Sequence, residues 1–326
     1  MTIEEAPVDL CDPLGGLNSD AVGWHRHPDV RANLPGRGRN KRWEYWAVAS
    51  PSLVIAVTVS DLDYASLHSV YVHDVDGTDI AETDLSLLRR TELPDSCGLE
   101  PIEVRTKTLS ADITPTDAGT EIQVRTPRVH ADLVIERPAG HEALAVVVPW
   151  GRRLFQYTVK ENTLPARGTV VIDGSTRELA NAWATLDHGR GRWPYRVMWN
   201  WGSGSGVVDG RVVGVQVGGK WTDGTGVTEN ALCVDGRIHY VSDELDWRYD
   251  LSQPTAAWSV RTPDDDRVDL TFHPDFVRTD RTSLGILANE THQAFGTWTG
   301  TMHDDAGTPV RVDGVRGWAE EVVNRW

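Results

Sequence analysis

"VVDGRVVGVQVGG", residues 207–219, carries an Asp-Gly pair between two apolar runs. That combination is the strongest short-range signal for a β-hairpin, because the tight turn joining two twisted strands needs residues that tolerate positive φ. Six Asp-Gly dipeptides punctuate the chain, at 76–77, 173–174, 209–210, 223–224, 235–236 and 313–314. Strand-like runs fill the space between them. Before the middle they include "RWEYWAVA" (42–49), "SLVIAVTVS" (52–60), "SLHSVYVHD" (66–74), "TEIQVRT" (120–126), "ALAVVVPW" (143–150) and "LFQYTVKEN" (154–162). After it come "ENALCVDG" (229–236), "RVDLTFHP" (267–274), "TSLGILANETHQAFGTWTG" (282–300) and "TPVRVDGVRGWAEE" (308–321). Many antiparallel strands joined by tight turns mean an all-β barrel or sandwich.

One segment reads differently. Ser175 and Glu178 have capping-box spacing, and Leu179, Trp183 and Leu186 fall on one helical face, which predicts a short helix over 175–186. It lies near the middle, with similar numbers of strands on either side. Because a small closed barrel takes about 8 strands, the natural division is two barrel-sized halves, 1–165 and 166–326.

Composition bounds the function. The chain has 326 residues, 40% of them hydrophobic and 25% charged, the balance of a foldable globular protein. A net charge of −16 repels phosphate backbones and argues against nucleic-acid partners. The start, "MTIEEAPVDL", has no basic or apolar leader, and no stretch reaches the ~20 apolar residues of a transmembrane helix. Cys11, Cys97 and Cys233 are odd in number and far apart, so no disulfide framework is expected and the cytoplasm is the default address. There is no Gly-x-Ser-x-Gly elbow, Walker loop or dinucleotide fingerprint, so no cofactor is expected.

The densest chemistry lies at "DHGRGRWPYRVMWNWGSGSG" (187–206). A strand over 194–201 puts Tyr195, Val197, Trp199 and Trp201 on one face and Arg196, Met198 and Asn200 on the other. Both faces are bulky, so both are covered. One can line an aromatic cavity that includes Trp193, with the Gly-Ser tail as a sharp exit or mobile rim. Aromatic filling of a core is the alternative. Asp187, His188, Arg190 and Arg192 adjoin the aromatics and are not explained by core filling alone.

The chain resembles the bacterial family catalogued as domain of unknown function 2804. The resemblance rests on "GRGRNKRWEYW" (36–46), "LDHGRGRWPYRVMWNW" (186–201), "GTGVTENAL" (224–232), "QAFGTWTG" (293–300) and "GVRGWAEEVVNRW" (314–326). That family is distantly similar to the tandem lipocalin-like (calycin) proteins, which include carotenoid 1,2-hydratases and fungal lipocalin-like Diels–Alderases. The resemblance implies two antiparallel β-barrel domains packed side by side, with an apolar ligand in or between them. Transfer of function over that distance is analogy.

Other constellations supply candidates. In "RWEYW", Glu44 and Trp46 share a strand face; a carboxylate beside an indole on an inward face is a candidate acid, and an ion pair with a nearby arginine is the alternative. Glu229 shares a face with Val227, Ala231 and Cys233, as a half-buried acid or a structural carboxylate would. Glu290 can orient His292 two positions on. His25, His27 and Asp29 have metal-ligand types at close spacing, but no second cluster accompanies them and no metal site is expected.

Asp187 is the expected principal acid, with His188 and Arg190 setting its protonation and Glu229 as second carboxylate. Glu44, Trp46, Trp193, Tyr195, Trp199, Asn200, Trp201 and His292 are the expected ligand contacts. The expected partner is a small, largely apolar molecule; the oligomeric state is not legible. Three functions fit: acid-assisted hydration, isomerisation or cyclisation of an isoprenoid-like substrate; non-catalytic carriage of a lipid; or glycoside chemistry on paired carboxylates such as Asp187 and Glu229.

Overall fold

The computed structural model describes residues 7–87, 90–284 and 287–325. Two compact units make up the chain, Met1–Trp193 and Pro194–Trp326. The division expected at 165/166 falls inside the Leu154–Ile172 strand, which is continuous across that point. Each unit is built on one curled antiparallel sheet, to which the first adds a short parallel pair, Val8–Asp9 with Val30–Arg31, and the described residues contain no α-helix, only a 3-10 turn at Ser19–Ala21.

In the first unit the strand order runs Asp79–Leu87, Ala65–Asp74, Leu53–Asp61, Asn40–Ala49, Ser175–Arg192, Leu154–Ile172, Val129–Glu136, Gly119–Arg125, Ser110–Thr116, Ile102–Arg105. Leu154–Ile172 curls the sheet by changing partners along its length. Its first half pairs with Leu144–Gly151 and its second half with Val129–Glu136. A bulge marks the change. The four residues 161–164 oppose the three residues 184–186, with Thr163 at φ +58°, and an extra residue of this kind bends a strand and increases its twist.

The helix expected over 175–186 is a strand, Ser175–Arg192, paired with 154–172 on one side and 40–49 on the other. A second bulge explains the misleading pattern. Between Leu179 and Ala182 this strand carries an extra residue, and Asn181 sits at φ +51°. The buried apolar positions therefore run 179, 182, 184, 186, a period of two with one inserted residue, which imitates helical spacing over a short window.

The second unit's order is Arg237–Val241, Asn230–Val234, Arg211–Gly219, Arg196–Val208, Val315–Arg325, Leu287–His303, Val268–Leu284, Trp258–Arg261, Asp246–Arg248. The Asp-Gly turns at 173–174, 209–210 and 235–236 have positive φ at both residues, the type I′ geometry that matches strand twist. The "GSGSG" tail is strand interior rather than a mobile rim. Its glycines alternate onto the inner face, where a Cβ on Gly202 would stand 2.6 Å from the Trp298 ring. Trp298 is fully buried against that glycine track.

Candidate functional site

Alternation along 175–192 decides which of its polar residues meet. Leu186, His188 and Arg190 face the barrel interior with Trp46, Glu44 and Arg42, their cross-strand partners on 40–49; Trp46 and Leu186 belong to the unit's core cluster. Asp187 points to the other face. So His188 and Arg190 do not act on Asp187, as the sequence suggested. They act on Glu44. The His188 Nδ1–H donates to Glu44 Oε1 at 2.7 Å, and an Arg190 Nη2–H reaches the same oxygen at 3.4 Å.

Arg190 is fully buried and fixed from four directions. Besides Glu44, it donates to the backbone carbonyls of Pro94 (3.0 Å), Trp43 (2.6 Å) and Gly189 (2.9 Å). A planar guanidinium with donors around its edge can hold all these acceptors together, which an ammonium cannot. Burial alone would raise the Glu44 carboxyl, yet the Arg190 cation and the hydrogen bonds from His188 and Arg190 hold it below the ordinary carboxylate range. Burial and the Arg190 cation push His188 below its ordinary value against the pull of Glu44. The cluster is therefore a glutamate anion, an arginine cation and a neutral imidazole protonated on Nδ1.

The buried polar atoms with no hydrogen-bond partner among the described residues include His188 Nε2, a lone-pair acceptor in this tautomer, and the Trp46 indole N–H, with Arg42 Nη1 and the Tyr157 hydroxyl nearby. His188 and Trp46 are diagonal neighbours on the inner face, since His188 pairs with Glu44 and Leu186 with Trp46. Diagonal Cβ atoms lie roughly 7–8 Å apart, within reach for aromatic side chains. Tyr157 packs edge-on against the His188 ring at 5.8 Å. The Glu44 row continues through Val59 to His68, and His68 lines a cleft of about 410 Å³ with Ser66, Arg90, Thr91, Glu103 and Thr106.

On the opposite face, Asp187 is a buried ion-pair partner. Lys160 Nζ lies 3.0 Å from its Oδ2, and the Thr158 hydroxyl donates to Oδ1 at 2.9 Å. The glycines of "HGRGR" serve this face: a Cβ on Gly189 would collide with the Trp43 ring at 2.0 Å, and one on Gly191 with the Gln156 amide oxygen at 2.3 Å. Trp193 donates its N–H to Gln156 and packs against Trp43 and Trp150 at ring distances of 5.8 and 4.9 Å. Arg192 ties down the incoming chain by donating to Asn40 Oδ1 and the carbonyls of Gly15 and Pro35.

The second unit holds the other candidates. Glu229 is buried and accepts the Trp221 indole N–H, in space left by Gly218. Trp201 donates to Gln216 Oε1 at 3.0 Å and stands edge-on to Trp318 at 5.1 Å. Trp199 donates to Glu320 Oε1 at 3.0 Å, whereas Tyr195 is exposed. His292 is 3.0 Å from Glu290 Oε1, which also pairs with Arg281 at the surface. Asn200 donates to the Tyr249 hydroxyl at 3.1 Å, where Lys220 and Glu321 also meet. Sequence reading missed Lys220, Tyr249 and Glu321; the one usable signal was that Lys220 is among only four lysines in the chain. Among the described residues no group of three or more His, Cys, Asp or Glu side chains is placed to hold a metal ion, and His25 contacts the Ala21 carbonyl at 3.4 Å. No helix there is long and apolar enough to cross a membrane.

The family model for a domain of unknown function, DUF2804, matches residues 2–326. No curated protein matches the chain. Among solved structures, CghA superposes with a TM-score of 0.55 at 12% identity, covering 95% of this chain and 98% of that one. CghA with Sch210972 gives 0.53 at the same identity and coverage. Kievitone hydratase from Nectria haematococca gives 0.51 at 6% identity, over 90% of this chain and 91% of that one. At these identities the likeness shows the tandem β-barrel fold and nothing finer.

Proposed function

The chain belongs to the DUF2804 family, and on that premise we propose that it is a proton-transfer enzyme acting on a small, largely apolar molecule by hydration, isomerisation or cyclisation, with His188 as its base. The observation that carries this reading is the His188 ring itself, with Nδ1 fixed on Glu44 at 2.7 Å and Nε2 buried without a protein partner. A base needs its lone pair presented in a dry place with the other nitrogen held. The two hydrogen bonds of Glu44 place the ring; Glu44 and Arg190 are positioning residues.

In hydration, His188 Nε2 takes a proton from water as the water oxygen bonds to the electrophilic carbon of an activated double bond. The electron pair moves to the neighbouring carbon, which the imidazolium then reprotonates. In isomerisation the same nitrogen takes a C–H proton and returns it at another carbon. The imidazolium is stabilised by the Glu44 carboxylate while it exists, as an acid partner stabilises a histidine base in acyl-transfer enzymes. This replaces acid initiation by Asp187, whose carboxylate is tied to Lys160. That solved structures of this fold include one named kievitone hydratase is consistent with hydration chemistry.

The test is deuterium exchange. Small molecules extracted from the purified protein are identified by mass spectrometry and returned to it in D2O. The wild-type protein is expected to incorporate deuterium into the compound, and His188→Gln to bind it but exchange at least ~100-fold more slowly, the typical worth of a positioned base. A compound bound equally and left unexchanged by the wild type supports non-catalytic carriage instead. Exchange by His188→Gln at the wild-type rate removes the assignment.

A further inference from the structure

Deepening the reading of the first barrel's interior as the substrate site, the leftover atoms point to a substrate class. His188 Nε2 and the Trp46 indole N–H are opposite in sense, one acceptor and one donor, and both are buried on one face. Glu44 is committed to His188 and Arg190, and Arg190 to three carbonyls, while Arg42 Nη1 and the Tyr157 hydroxyl are further buried polar atoms nearby without a hydrogen-bond partner. Around them the wall is apolar, with Val57, Val59, Val159, Leu164 and Leu186 in the same core cluster. A polar group buried without a partner is costly, and a site built to hydrogen-bond a ligand rejects an analogue that lacks the matching atom.

We infer that the ligand is an oxygenated apolar molecule, a phenol or an enolisable ketone, whose oxygen accepts the Trp46 N–H and whose acidic proton faces His188 Nε2. A pure hydrocarbon, such as an unfunctionalised isoprenoid chain, leaves the indole N–H unmatched. An anion is disfavoured as the ground-state ligand, because the acidic chain, at net charge −16, repels negative charge. Trp46 then has a defined role in the reaction: as His188 removes the proton, negative charge grows on the oxygen that Trp46 holds, and a donor already in place stabilises that charge.

Three probes of the same size separate the possibilities: 1-naphthol (donor and acceptor), 1-tetralone (acceptor with an enolisable C–H) and naphthalene (neither). With the full-length wild-type protein, titration calorimetry is expected to rank 1-naphthol and 1-tetralone about tenfold tighter than naphthalene, the worth of one buried hydrogen bond. Trp46→Phe is expected to bring 1-tetralone to the level of naphthalene and to weaken 1-naphthol, which keeps its donation to His188 Nε2. The Trp46 indole 1H–15N peak gives a second readout that needs no variant, moving with 1-naphthol and 1-tetralone and not with naphthalene. Equal affinity for all three probes, binding of none, or an indole peak that no probe moves because a buried water occupies the site would overturn the inference. So would an unchanged ranking in Trp46→Phe. These readouts do not require turnover, so a protein that ranks the probes as stated but exchanges no deuterium keeps this inference and loses His188 as base.

Discussion

Two polar clusters, one buried in the first unit and one half-buried in the second, are built from similar materials and end differently. In the first, Glu44 and Arg190 satisfy each other and the surrounding carbonyls, while His188 Nε2 and Trp46 Nε1 are left over. In the second, the Tyr249 hydroxyl receives Lys220 at 2.6 Å and Asn200 at 3.1 Å and bonds to Glu321, and its ring stacks on Trp258 at 4.1 Å. A saturated cluster fixes a fold; a cluster with aimed, unspent atoms is ready for something else. The same contrast separates the two faces of the 175–192 strand. Asp187 is spent on Lys160 and Thr158, whereas His188, one residue on, keeps a nitrogen free of protein partners.

Substitutions can break that contrast, beginning with the largest effect. Arg190→Met removes a buried cation, strands the Glu44 charge and leaves three carbonyls without their donor. Breaking a buried pair on one side costs about 3–5 kcal/mol, readable by urea denaturation; a loss below ~1 kcal/mol would mean that Arg190 is not what holds Glu44. Asp187→Asn leaves Lys160 without its carboxylate, so a loss of about 3 kcal/mol, near the upper worth of a charged hydrogen bond, is expected with deuterium exchange retained. Loss of exchange at intact stability would return the acid role to Asp187. Tyr249→Phe takes the hub out of the saturated cluster at a cost of about 1–3 kcal/mol, and leaves exchange and the probe ranking unchanged.

The smallest expected effect is on pH dependence. Burial and Arg190 hold the native His188 below its ordinary value of 6.5, so on acidification the unfolded chain takes up a proton there that the native state refuses. Stability contributed by neutral His188 is present above about 6.5 and is lost as the pH falls from there toward the native value. Glu44, held below its ordinary 4.5, adds a second loss in the same direction at lower pH. His188→Gln is expected to flatten the first part of this slope, measured as the urea midpoint between pH 7 and the onset of the carboxylate transition.

Much of the fold was legible because its signals are local. Asp-Gly at 173–174, 209–210 and 235–236 needs only its own backbone to specify a hairpin, and the alternation in "RWEYWAVA" needs only the pleat of its own strand. The supposed helix at 175–186 failed because the extra residue between Leu179 and Ala182 is fixed by pairing with 154–172, which no local window contains. The site was half legible for the same reason. Glu44, Trp46, His188 and Arg190 were each singled out, and an ion pair between Glu44 and an arginine was one of the readings. That the arginine is Arg190, and that His188 serves Glu44 rather than its neighbour Asp187, follows from the 44↔188 register. Asp187 and His188 are adjacent in sequence but not on one face, because a strand's period of two sends neighbours to opposite sides. Lys220, Tyr249 and Glu321 were invisible as a group, because they come together only when 211–219, 246–248 and 315–325 are folded around one core.

The central claim is that His188 is a neutral imidazole with its proton on Nδ1 and a bare Nε2 inside the first barrel. Nitrogen-15 NMR of histidine-labelled protein, read against His188→Gln to assign the signal, tests it directly. The account predicts a protonated Nδ1 and an unprotonated Nε2 at pH 7, and a midpoint for imidazolium formation below that of an ordinary histidine. A midpoint at or above the ordinary one, or a proton on Nε2 at pH 7, would contradict it.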